Sequence, residues 1–196
     1  MLIETEATPN PATLKFLPGR DVLGSDGRSA GGMDFPTAAS AAGASPLAEA
    51  LFAVDGVDGV FLGDAFISVT KADMAEWGAL KPTVLGVVME HFVANRPVLN
   101  EAAASAAASP ADAYEGDDAE VVEQIVELLE TRVRPAVAQD GGDIVFHSYE
   151  PGDGVVHLHM RGACAGCPSS TMTLKSGIEN LLKHYVPEVT RVEPVL

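Results

Sequence analysis

Val121, Val122, Ile125, Val126, Leu129 and Val133 fall on one side of a helical projection, and Glu120, Glu123, Glu127, Glu130 and Arg134 on the other. That spacing predicts an amphipathic helix with a buried stripe. Acid at its start and Arg132 and Arg134 near its end suit the helix dipole. Pro135 must kink or restart this helix, and Gly141-Gly142 stops it. Two strands follow, Asp143 to Tyr149 and Gly154 to Met160, joined by Pro151-Gly152-Asp153. A last helix, Ser170 to Val186, carries Leu174, Ile178, Leu181, Leu182 and Tyr185 as its buried stripe. Lys175, Glu179 and Lys183 form an exposed i,i+4 ladder on its outer side, and a short strand, Val189 to Val195, closes the chain. The predicted order over 117–196 is α-β-β-α-β.

The first half alternates differently. Thr13 to Leu17 reads as a strand between a proline-bearing turn at 7–12 and the stop Pro18-Gly19. Residues 21–44 show no firm period and predict loop with one short helix. Ser45-Pro46 starts a helix, cap then first-position proline, with Leu47, Leu51 and Phe52 for the core. Val57 to Lys71 predicts a hairpin turning on Gly63-Asp64, and Pro82 opens a helix to Asn95 carrying Leu85, Val88, Met89 and Phe92. Between the halves lies an Ala/Ser-rich run with little to bury after Leu99. The expected architecture is two small α+β domains, 1–97 and 117–196, joined by a flexible linker at 98–116.

Charge narrows the function classes. The 196 residues carry a formal net charge of -16. Acidic and basic residues number 12 and 6 in 1–97, 3 and 0 in 98–116, and 13 and 6 in 117–196, so no basic face is hidden in either half. Nucleic acid and anionic membrane surfaces are therefore not expected partners. No segment offers the roughly 18 consecutive apolar residues of a membrane span. The start, Met1-Leu2-Ile3-Glu4-Thr5-Glu6, has neither the basic region of a signal peptide nor the Arg-rich pattern of a transit peptide. Two cysteines make no disulfide scaffold, so a reducing, cytoplasmic location is expected.

Both cysteines lie in Gly162-Ala163-Cys164-Ala165-Gly166-Cys167-Pro168-Ser169-Ser170, where the second strand gives way to the last helix. The small neighbours allow a tight turn that leaves the sulfurs uncovered, Pro168 suits the first helical position, and the helix N-terminus favours thiolate. Three chemistries compete. A structural zinc site needs four ligands, which His157 and His159 complete on paper, although an exposed row is the plainer reading of alternate histidines. A dithiol–disulfide oxidoreductase also opens a helix with C-x-x-C, but here the motif follows a hairpin rather than a βαβ crossover. An iron–sulfur centre usually takes four thiolates, which two chains related by a twofold axis supply together. Asp140 and Asp143 read first as turn and cap residues, with ligation as their lesser reading, His91 as structural, and Met172 as exposed, with a dimer contact as its other reading. His147 and His184 receive no role.

Arg134-Pro135-Ala136-Val137, Asp140-Gly141-Gly142-Asp143-Ile144, the cysteine loop with Thr173-Leu174-Lys175 and Gly177-Ile178-Glu179, and Val186-Pro187-Glu188-Val189 closely resemble the C-terminal domain of the NifU/Nfu family. Thr8-Pro9-Asn10-Pro11, Lys15-Phe16 and Pro18-Gly19 resemble the N-terminal domain of two-domain Nfu proteins. The resemblance implies a carrier rather than an enzyme. It implies a labile [4Fe–4S] cluster, with [2Fe–2S] as the other nuclearity left open, held by Cys164 and Cys167 of two subunits. Its implied partners are upstream cluster-assembly proteins and apo iron–sulfur clients, with a homodimer as the loaded form. Delivery is favoured over primary assembly, because the cysteine-rich scaffold and ferredoxin-like domains of full-length NifU are not found in these residues.

Overall fold

The computed structural model describes residues 2–23, 32–100, 114–165 and 168–195, the stretch 168–171 by its backbone alone. The chain divides into two units, Met1–Ala106 and Ala107–Leu196, each mixing helix and sheet, so the α+β class holds.

The first unit contains β1 (Glu4–Ala7), β2 (Thr13–Leu17), β3 (Met33–Phe35), α1 (Ala38–Ala41), α2 (Pro46–Phe52), β4 (Val57–Leu62), β5 (Ile67–Lys71) and α3 (Trp77–Val93). Its strands form one antiparallel sheet in the order β1-β2-β5-β4-β3. Ser45 caps α2 as its sequence position predicts, accepting from the Ala48 N–H at 3.1 Å. Two expectations change. The β4–β5 turn takes four residues, since Leu62 pairs with Ile67 and the Gly63 N–H donates to the Phe66 carbonyl at 2.8 Å. The last helix begins at Trp77 and keeps Pro82 inside it. Burial of Leu80 and a Trp77–Phe16 ring contact at 6.4 Å hold the turn before the proline, so tertiary packing overrides the local stop. β1 and β3 were invisible to periodicity because they are edge strands of four and three residues.

The second unit contains α4 (Asp117–Leu128), a π-helical turn (Leu129–Val133), α5 (Arg134–Gln139), β6 (Gly142–Glu150), β7 (Val155–Gly162), α6 (Pro168–Tyr185) and β8 (Arg191–Val195). β6 and β7 pair antiparallel, and β8 adds parallel to β7. Pro135 has no N–H to give the preceding turn, and the chain widens there: the Arg134 N–H donates to the Leu129 carbonyl, five residues back. Val122, Ile125, Leu129, Val133 and Val137 still reach one core, against Ile144, Phe146, Leu158, Ile178 and Leu182. Tyr185 leaves the predicted stripe. It is half-exposed under the Arg132 guanidinium, 5.1 Å from its ring, and Val186 is buried instead. Glu179 is more than a rung of a surface ladder, because it accepts from Lys183 at 2.6 Å and from the Val192 N–H at 3.1 Å, tying α6 to β8.

Both ends of the expected linker are packed. Ser45 donates to the Val98 carbonyl at 2.6 Å, and the Asn100 N–H to Ala44 at 2.9 Å. Tyr114 meets Phe146 edge-on, ring centroids 6.4 Å apart, and accepts from the Tyr149 N–H at 2.7 Å. The rest of that stretch, 101–113, lies outside the described residues.

Candidate metal centre

The cysteine loop hangs on the open end of the β6–β7 hairpin. Gly142 faces Gly162 and Asp143 faces Arg161 across the two strands. Gly162 takes φ of 60°, a left-handed turn that glycine adopts without strain. The chain then folds back over the start of β6: the Ala163 N–H donates to the Gly141 carbonyl at 3.1 Å, Cys164 N–H to Arg161 at 3.4 Å, and Ala165 N–H to Gly162 at 3.0 Å. This curl aims Cys164 inward. The residue is 7% exposed and belongs to the core of the second unit.

Gly142 therefore does more than stop a helix. A Cβ on it would lie 2.5 Å from Cys164 Sγ and 2.9 Å from the Arg161 carbonyl oxygen. Gly142→Ala is expected to lower the unfolding free energy of this domain by roughly 1–3 kcal/mol, the usual range for overpacking. Urea denaturation reads it, and an unchanged midpoint would mean that the sulfur and the backbone of Arg161 and Cys164 all give way freely.

Burial overturns the electrostatic expectation. The sulfur of Cys164 is covered, and its pKa is pushed up to about 12 by burial first, then by the charges of Asp140 and Asp143. Burial and the two acids thus favour the thiol over the thiolate. Small neighbours permit a buried sulfur as well as an exposed one, and the curl selects the buried one. Cys167, the other predicted ligand, lies outside the described residues; α6 begins at Pro168.

Sequence reasoning missed the ion pair beside this loop. Arg134 Nε donates to Asp143 Oδ1 at 2.9 Å and its second prong to Oδ2 at 3.3 Å. Asp143 is only 5% exposed, and burial raises its pKa although Arg134 and Arg161 pull the other way. The signal was in the chain: an arginine before the proline and an acid directly after Gly-Gly. Asp140 is the C-cap position of α5.

The histidines separate from the cysteine. His157 Nε2 meets Glu150 Oε1 at 3.1 Å, while the His159 ring lies edge-on to His147 at 4.5 Å. Burial, His147 and Arg161 lower the pKa of His159. Among the described residues, no group of three or more His, Cys, Asp or Glu side chains is placed to share a metal ion, so Cys164 with His157 and His159 is not assembled. His91 is buried in the first unit with its pKa lowered chiefly by burial, as a core residue would be.

Residues 3–96 match the family described as scaffold protein Nfu/NifU N terminal, and residues 125–193 match the NifU-like domain. NifU-like protein 5, mitochondrial, of Arabidopsis thaliana is 49% identical over 193 residues, 98% of this chain and 67% of that protein. The chain belongs to the NifU/Nfu family. NifU-like protein 4, mitochondrial, of the same plant is 49% identical over 193 residues, 98% of this chain and 65% of that protein. NFU1 iron-sulfur cluster scaffold homolog, mitochondrial, of Drosophila willistoni is 51% identical over 195 residues, covering 100% of this chain and 64% of that protein. The chain thus spans about 65% of the length of these NifU/Nfu relatives. Their names correct the cytoplasmic expectation, since all three are mitochondrial proteins. The physical reason is simple. A low cysteine count separates reducing from oxidising compartments, but not one reducing compartment from another.

Proposed function

We propose that this NifU/Nfu chain carries an iron–sulfur cluster as cargo, ligated by Cys164 and Cys167, and passes it to apo-proteins. The observation that carries the reading is the C-x-x-C at the β7–α6 junction of a domain that matches the NifU-like family. One chain offers two thiolates, and the cluster is [4Fe–4S], shared by two chains. The relatives' names support iron–sulfur scaffolding, and their compartment makes the mitochondrion the location to test.

The residues suit cargo better than catalysis. A dithiol oxidoreductase needs a low-pKa, accessible thiolate. Cys164 is buried, with its pKa pushed up to about 12. Metal binding deprotonates a coordinating thiol, so loading releases a proton from Cys164 and is favoured by rising pH.

Anaerobic reconstitution with iron and sulfide tests the proposal, read by absorption and Mössbauer spectra with iron and sulfide counted per chain. Zinc without sulfide would favour a structural site, and a reversible two-electron thiol couple without metal would favour the oxidoreductase.

The same experiment on a fragment tests the division of labour. Both thiols lie in the second unit, so residues 114–196, which keep Tyr114 on Phe146, should load like the full chain. The first unit then recognises clients or delivery partners and changes transfer rate rather than uptake. A folded fragment that takes up no cluster would refute this partition.

A further inference from the structure

Asp143 presents a puzzle that the turn-and-cap reading does not solve. A carboxylate exposed by only 5% is costly to keep charged, and β6 needs no side chain at that point to continue its ladder. What the carboxylate does is grip Arg134 with both oxygens, at 2.9 and 3.3 Å, across the Pro135 break and the Gly141-Gly142 stop. The pair thus pins the first residues of β6 to the junction between the π-helical turn and α5. Those residues are the ones on which the cysteine loop is seated. Gly141 accepts the Ala163 N–H at 3.1 Å, and Gly142 lies so close to Cys164 Sγ that a Cβ would stand 2.5 Å from it.

We infer that Arg134 and Asp143 are positioning residues for the cysteine loop, holding the Gly141-Gly142 floor in place beneath Ala163 and Cys164. The fork matters, because a lysine ammonium is a point charge and does not span both carboxylate oxygens. Arg134 also reaches Glu130 at 3.7 Å, but that carboxylate is half-exposed and one turn along the helix. It supplies the control: removing Glu130 leaves the floor untouched. The inference rests on the proposed function only in treating Cys164 as a cluster ligand; the seating itself is geometry.

The test uses the full-length apo-protein as wild type, Asp143→Asn, Arg134→Lys and Glu130→Gln. Residue-resolved amide exchange compares Ala163, on the loop, with Val156 and Leu158, in the middle of β7. Iodoacetamide alkylation, mapped by mass spectrometry, follows Cys164. In D143N and R134K, Ala163 protection should fall about tenfold or more and Cys164 alkylation should rise in step, while Val156 and Leu158 keep their protection. E130Q should match wild type in both readings. Unchanged Ala163 and Cys164 in both variants would overturn the inference. So would equal loss at Ala163 and Leu158, or failure of both variants to fold, since the pair would then merely hold the domain together. If D143N alone fails to fold, R134K decides. Cluster retention against a chelator separates the two levels of the argument. A wild type that takes up no cluster sinks the carrier reading and leaves the exchange result standing. Normal loading with wild-type exchange in the variants sinks the positioning inference alone.

Discussion

Replacing either cysteine should remove the cluster: Cys164→Ala or Cys167→Ser is expected to bring reconstituted iron to background. If each chain contributes two thiols to a shared site, as proposed, one substitution leaves that site two ligands short. The replacement for Cys164 must be chosen with its surroundings in mind. It is a core residue, 7% exposed, packed on Gly142. Alanine loses one sulfur's worth of packing, about 1 kcal/mol by the scale of a buried methylene. Serine would put a more strongly hydrated hydroxyl in the same buried place, so alanine is the cleaner replacement. Iron analysis with melting therefore separates the site from the fold. Normal iron content in either single variant would rule out paired ligation.

Cluster loading and dimerisation should be one event. Each chain carries a net charge of -16, so two copies repel, with screening over a Debye length of about 8 Å at physiological salt. Among the described residues the loop's one cysteine, Cys164, is covered. The metal–thiolate bonds are then the main drive to associate. A ligand that binds only the associated state shifts the equilibrium toward it by mass action. Native mass spectrometry under anaerobic conditions should find monomer in the apo-protein, two chains per cluster after loading, and monomer again after chelation. A stable monomer holding a complete cluster would refute the shared site.

Much of the second unit was legible because local rules act there without competition. The Val122–Ile125–Leu129–Val133 stripe can be buried only by a helix, and Pro135 cannot donate to the turn before it. The sequence placed the break; the structure shows that a π-helical turn absorbs it. In the first unit the same kind of rule failed at Pro82, where Leu80 and Trp77 are held by packing strong enough to keep one more turn of helix. Tyr185 failed differently. It is the last residue of α6, and at that end of the helix its ring packs under Arg132 while Val186, just beyond the helix, takes the interior.

The candidate site divides along the same line. That two thiols share one short loop between a strand and a helix follows from residue order, because C-x-x-C can hardly be spread apart. Which way the first sulfur points does not follow. Ala163 and Ala165 fit a loop turned in either direction, and the left-handed Gly162 with the Ala163-to-Gly141 hydrogen bond, made across the hairpin, turns Cys164 toward Gly142. The Arg134–Asp143 pair was hidden for the same reason. Its two residues are nine apart in sequence, and the broken helix and the Gly-Gly turn between them bring their side chains together. Sequence alone determined the main helices and strands of the second unit, the α+β class and the family resemblance, because these depend on periods and motifs a few residues long. Tertiary structure alone decided the burial of Cys164, its raised pKa and the ion pair beside it, because each depends on contacts between segments that the chain must first fold to create.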